Sequence, residues 1–221
     1  MVSLSETDHQ RINAAIAEAE RNTSGEIFCI LTQRTSTYLE TPIAYAAVAS
    51  LLLPLGVVAF GAEPWNWAGG WRVAAARPEQ AVFAYALLQV VVLFVVLALA
   101  AMKPVRLRLA PEPLKRARVH KAAVQQFLSK GLQQTEGRTG VLIMASVDER
   151  HAEIIADDGI YKKVEKEVWA DALVALIAGM RRDRPADGFV EAVRLCGDVL
   201  AEHFPASAEN PNELPDTLVV V

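Results

Sequence analysis

At 221 residues the chain has room for one ordinary domain and additional segments, and its net charge of -4 excludes a general nucleic-acid binder, which is basic. Hydrophobic residues make up 52% and charged residues still 22%, a pairing seldom met in a uniformly water-soluble chain and expected when a polar part and a lipid-facing part are averaged. Cys29 and Cys196, the only two cysteines, exclude a disulfide framework and a metal motif and read as small buried side chains.

The N-terminus, "MVSLSETDHQRINAAIAEAERN", has neither the positive region nor the apolar core of a signal peptide, so the first segment is expected to stay in the cytosol. Residues 5–22 read as a helix. Ser5 and Asp8 have the spacing of a capping box, and Ile12, Ala15, Ile16 and Ala19 line one face. "NTSG" ends it at Gly25, and "EIFCILT" follows as a short continuous apolar run, suited to a strand covered on both faces.

From Pro42 to Ala62, and again from Gln80 to Met102, there is no charged residue. Each run matches the ~20 residues a helix needs to cross ~30 Å of hydrocarbon. The spans are set at 42–62 and 80–102. Pro54 within the first would break a helix in water, whereas a spanning helix tolerates it. The loop 63–79 holds Trp65, Trp67 and Trp71, three of four tryptophans, which favour the headgroup level. Only Arg72 and Arg77 lie in that loop, against Lys103, Arg106, Arg108, Lys115, Arg116, Arg118 and Lys121 after the second span. The positive-inside rule therefore places the loop outside and both flanks in the cytoplasm. The alternative, a buried hairpin of an all-α soluble protein, is disfavoured by two such runs in one chain. Gln89 is the one strongly polar side chain of the second span, and neither span has an ionisable group, so an anchor or a contact with another membrane protein is expected rather than a pore.

Pro111 and Pro113 mark a linker, and Leu114 to Leu132 reads as a helix with Val119, Ala123, Val124, Phe127 and Leu128 on one face. "VLIMASV" and "HAEIIAD", joined by "DER", form a hairpin over 140–157. Two helices follow, Val164 to Arg181 and Asp187 to Phe204, separated at Pro185. The tail 207–221 is polar with prolines and reads as disordered. A lone N-terminal strand has no backbone partner, so residues 1–38 and 110–206 are expected to form one α/β cytosolic domain with helices on a mixed sheet, interrupted by the transmembrane helical hairpin.

The order of elements, with "GVLIMASVDERHAEIIAD" around Arg150 and a late pattern at Gly188, Ala192 and Val193, resembles the TPM domain family, named for a thylakoid lumen protein, a photosystem II repair factor and a worm receptor modulator. The resemblance covers about 140 residues, all outside the spans, and implies a Rossmann-like three-layer α/β/α fold. It also implies, for some members, acid phosphatase activity and divalent-metal binding. The chain departs from the pattern: Glu136, Gly137, Arg138, Thr139 and Gly140 stand where many members have Asp-Asn-Gly, and Asp157, Asp158 and Gly159 where many have Gly-x-Gly.

Among the acids Asp148, Glu149, Glu153, Asp157 and Asp158, the pair Asp157 and Asp158, with Glu136 near by, is the candidate metal site, its oxygens suited to Ca²⁺ or Mg²⁺. The competing reading is a solvated turn, with Asp158-Gly159 as ordinary turn chemistry. No catalytic residue is assigned. His9, His120, His151 and His203 show no ligand spacing, and there is no P-loop, no G-x-G-x-x-G and no G-x-S-x-G. The expectation is a multi-pass protein of a bacterial inner membrane with both termini cytoplasmic. Its partners are the bilayer and another membrane protein, with no nucleic acid. It acts as a non-catalytic interaction or assembly module, the alternative being a divalent-metal-dependent phosphatase at the membrane surface.

Overall fold

A computed structural model describes residues 4–59, 78–206 and 211–221, with the side chains at 57, 58, 78–81, 84 and 103 outside that set. The loop expected over 63–79, with its tryptophans, therefore lies almost wholly outside the described residues. The chain divides into two compact units, Met1–Ser36 with Glu112–Val221, and Thr37–Pro111.

The first unit is built on a four-stranded sheet of order β3-β2-β1-β4, from β1 (Glu26–Thr32), β2 (Gly140–Ser146), β3 (His151–Ala156) and β4 (Leu218–Val220). β2 and β3 form the expected hairpin, pairing Val141 with Ala156 and Ser146 with His151. β1 lies parallel to β2, Glu26 opposite Gly140 and Thr32 opposite Ser146. Every residue of β1 and β2 is buried, because helices cover both faces.

Alternation sorts their side chains. Ile27, Cys29, Leu31, Val141, Ile143 and Ala145 join the core formed with α1 (Glu6–Glu20), α7 (Ala170–Arg181) and α8 (Pro185–His203). Phe28, Ile30, Leu142 and Met144 point the other way, onto Ala123 and Phe127 of α5 (Glu112–Ser129) and onto Leu132. The capping box of α1 is present: Asp8 N–H donates to Ser5 Oγ at 3.1 Å, and Ser5 N–H to Asp8 Oδ2 at 3.3 Å. Such a cap contributes about 1 kcal/mol.

Three expectations need correction. The tail 207–221 is not irregular throughout: Leu218–Val220 are β4, parallel to β1 through Cys29, Ile30 and Leu31. The helix expected from Val164 starts only at Ala170, after a short α6 (Asp158–Tyr161) and a 3₁₀ turn, Lys166–Trp169. Val164 and Trp169 are both buried, and a separation of five does not fall on one helical face, whereas Trp169, Ala172, Leu176 and Met180 recur at three and four. Pro113 is not in a linker but in the first turn of α5, where its missing N–H costs nothing.

The second unit consists of α2 (Glu40–Ala59, 20 residues), α3 (Pro78–Ala101, 24 residues) and α4 (Lys103–Leu109). α2 and α3 pack against each other. Among the described residues alone no helix is long and apolar enough to cross a membrane, and the transmembrane hairpin is not assigned on that ground. In both α2 and α3, positions within the helix lie outside those residues; in the full sequence, 42–59 and 80–101 are free of charge. Among the described side chains of α2 and α3, many of the exposed positions are apolar. α2 buries Pro42, Ala46, Ser50 and Pro54 at intervals of four and turns Ile43, Leu51, Leu52, Leu53 and Leu55 outward. α3 exposes Phe83 (71%) and Phe94 (64%).

Candidate functional site

The acids singled out by sequence fall at opposite ends of the sheet. At the end where β3 finishes, Asp157 is 3% exposed and caps α6, accepting from Asp158 N–H at 2.5 Å. Arg138 grips it bidentately, Nε to Oδ2 at 2.8 Å and Nη2 to Oδ1 at 2.9 Å. Asp158 is largely exposed, its Oδ2 3.6 Å from Arg138 Nη2. Glu136 presents its backbone there: its N–H donates to both carboxylate oxygens of Glu213, at 3.1 Å each. Asp157, Asp158 and Glu136 are thus not gathered as three oxygen donors, and among the described residues no group of three His, Cys, Asp or Glu side chains is placed to hold a metal ion. Gly159 is required sterically, since a Cβ there would stand 2.4 Å from Arg138 O. Sequence reading could not foresee Arg138 as the partner, because the pair closes over nineteen positions.

At the carboxyl ends of β1 and β2, where open α/β sheets commonly bind ligands, the hub is Glu149, 4% exposed. Its Oε1 accepts from Thr35 N–H at 2.9 Å and Thr35 Oγ1 at 2.8 Å, and its Oε2 accepts from Ser146 Oγ. Next to it Gln33 Nε2 donates to Asp148 Oδ1 at 2.5 Å. A serine on a carboxylate has the parts of a nucleophile and base. Here Ser146 is 0% exposed, so the pair is a clasp joining the end of β1 to the β2–β3 turn. Glu112 reaches the same turn, its Oε2 3.3 Å from His151 Nε2. The chain therefore leaves this unit, after Thr35, and re-enters it, at Glu112, beside one turn. Sequence reading named Glu149 among the acids but missed Thr35 and Ser146; the only available signal was Ser146 three residues before Glu149. Glu153 stands apart, 2.7 Å from His120 Nδ1.

Two other features are distinct from these. Glu20 and Glu26 lie buried at the amino end of β1, and Glu20 is pushed up to about 9, first by burial and then by the charges of Glu26 and Asp216, against the N–H of Ile27. A groove of about 240 Å³ between α1 and α8 is lined by Ala15, Ala19, Val190 and Gly197, with Glu18, Arg194 and Asp198 at its rim.

The family model of the TPM domain matches residues 107–199, beginning within α4. No curated protein matches the chain. Among solved structures, the NMR structure of the BA42 protein from the psychrophilic bacterium Bizionia argentinensis is similar at 18% identity and a TM-score of 0.59, over 100% of this chain and 97% of that one. The segment 107–199 thus matches the TPM domain, and the mixed four-stranded α/β fold is similar to that of BA42.

Proposed function

We propose that the protein is a non-catalytic interaction or assembly module, held at a bacterial inner membrane by residues 37–111, with the TPM-like unit and both termini in the cytoplasm. One observation carries the reading. Among the described side chains, α2 buries Pro42, Ala46, Ser50 and Pro54, and α2 and α3 present mostly leucine, valine and phenylalanine outward. Helices apolar all round belong in lipid or in a large core, and small residues at the contact are how helices pack where water does not drive them together. A water-exposed patch of this kind would be far larger than monomers tolerate. The clasp at Glu149 supports the same reading, since a hairpin insertion is cheap where both chain crossings adjoin one turn.

The outward residues contact acyl chains or a second membrane protein. A photo-crosslinking residue at Leu52 or Phe94 of the full chain in membranes is expected to yield lipid or membrane-protein adducts, and one at Ser50 far fewer. Equal yield at all three positions, or adducts with soluble proteins only, would contradict the proposal. The alternative of a divalent-metal-dependent phosphatase has no observation of geometry in its favour. Asp157 is committed to Arg138, and Ser146 is shut from solvent.

A further inference from the structure

α7 covers the sheet with one face and carries an apolar face on its other side. Its sequence, ADALVALIAGMR, holds two charges, Asp171 and Arg181, and no other polar side chain. The inner side, Ala172, Leu176, Gly179 and Met180, is buried. At about 3.6 residues per turn, Ala170, Asp171, Val174, Ala178 and Arg181 share the opposite side. The outer side of a helix on a water-facing domain is ordinarily polar. Here Val174 stands 66% exposed, the most exposed large apolar side chain of the first unit among the described residues. Ala170 is exposed too, and Ala178 is half-buried.

The two charges frame this face, one at each end, about 15 Å apart along the axis. Neither has an ion pair among the described residues, whereas Arg11, Arg21, Arg184 and Arg194 of the same unit each meet a carboxylate. α7 itself offers no partner, since the positions three and four away from each charge along the helix are Val174, Ala175, Ile177 and Ala178. The signs of the two charges suit the helix dipole, which leaves the apolar side chains between them unexplained.

We propose that this face is where two copies of the chain pair, α7 against α7 in antiparallel orientation, about a two-fold axis level with Leu176. Asp171 and Arg181 each lie five positions from Leu176, and Val174 and Ala178 each lie two. The axis therefore brings Asp171 of each copy to Arg181 of the other and sets Val174 against Ala178, so that one surface complements itself. The small central side chains let the helices approach, and the two ion pairs fix the register. One charge of each sign, evenly placed about the centre, favours a second copy over an anionic bilayer surface, which would call for basic residues along the helix. A single helix pair of this length is smaller than the ~800 Å² per partner of a stable complex, so the dimer is reversible and depends on concentration. The contact belongs wholly to the first unit and does not depend on whether residues 37–111 lie in lipid.

The test traps the pair in the full-length protein in mild detergent. Val174→Cys is treated with a short bismaleimide, the native cysteines being buried. A covalent dimer whose yield rises with protein concentration is expected. In that background Asp171→Arg or Arg181→Asp alone sets like charges together and is expected to lower the yield about tenfold or more. The two single variants mixed with each other, and the double variant carrying both changes, regain opposite charges across the axis and are expected to return towards the starting yield. No dimer in the starting protein, a dimer indifferent to either reversal, or a loss that neither mixing nor the double change restores would overturn the proposal. Pairing through residues 37–111 alone would give the indifferent dimer.

Discussion

At the scale of single residues, the buried carboxyl groups of this unit have different remedies for their burial. Asp157 is paired with a guanidinium, Glu149 is given three donors, and Glu20 keeps its proton. The costs of removing them differ accordingly. Glu149→Ala leaves Ser146 and the Thr35 amide without an acceptor and is expected to cost about 2–4 kcal/mol in urea unfolding of the full chain. Asp157→Ala removes both a helix cap and a charge pair and is expected to cost about 1–3 kcal/mol, while Asp158→Ala, largely exposed, stays within about 0.5 kcal/mol. Equal effects at 157 and 158 would favour a shared ion over the Arg138 clamp. On the same grounds, millimolar calcium is expected to leave the melting temperature within about 1 °C, because a ligand that binds only the folded state must raise it. Cys29 and Cys196 are pushed up by burial and are expected to resist alkylation in the folded protein.

At the scale of elements, the parts legible in the sequence were those whose signal is local. "EIFCILT" and "VLIMASV" read as buried strands because every position is apolar or small, and Ser5 with Asp8 announced the start of α1. What escaped reading depends on distant partners. β4 is three residues after two prolines, and its place is set by Asn13 and, just upstream of it, Glu26, roughly two hundred positions away. The break at Val164 is decided by what that side chain buries, not by propensity. The close pairing of α7 with α8 was readable only as a glycine in a family pattern. Its reason is steric: a Cβ at Gly179 would stand 2.6 Å from the Cα of Gly188. Gly179→Ala is therefore expected to force the helices apart and cost about 1–3 kcal/mol. Thermal unfolding checks this, with Gly56→Ala, where nothing lies within 4 Å, as the neutral control.

At the scale of the whole molecule, two chain segments 75 residues apart make one sheet, and residues 37–111 between them form a second compact unit. Among the described residues, the first unit buries most of its large apolar side chains, whereas α2 and α3 expose many of theirs. This contrast was legible in the sequence as two charge-free runs, although the small-residue stripe of α2 became visible only with the burial pattern. The most direct measurement uses the two shielded native thiols as a silent background. A cysteine is placed at Trp67, between α2 and α3 in the sequence, and intact cells are treated with a membrane-impermeant maleimide. Membrane anchoring with both ends inside predicts that Trp67→Cys is labelled without lysis while Val220→Cys is labelled only after it; labelling of position 67 that requires broken cells would contradict the account.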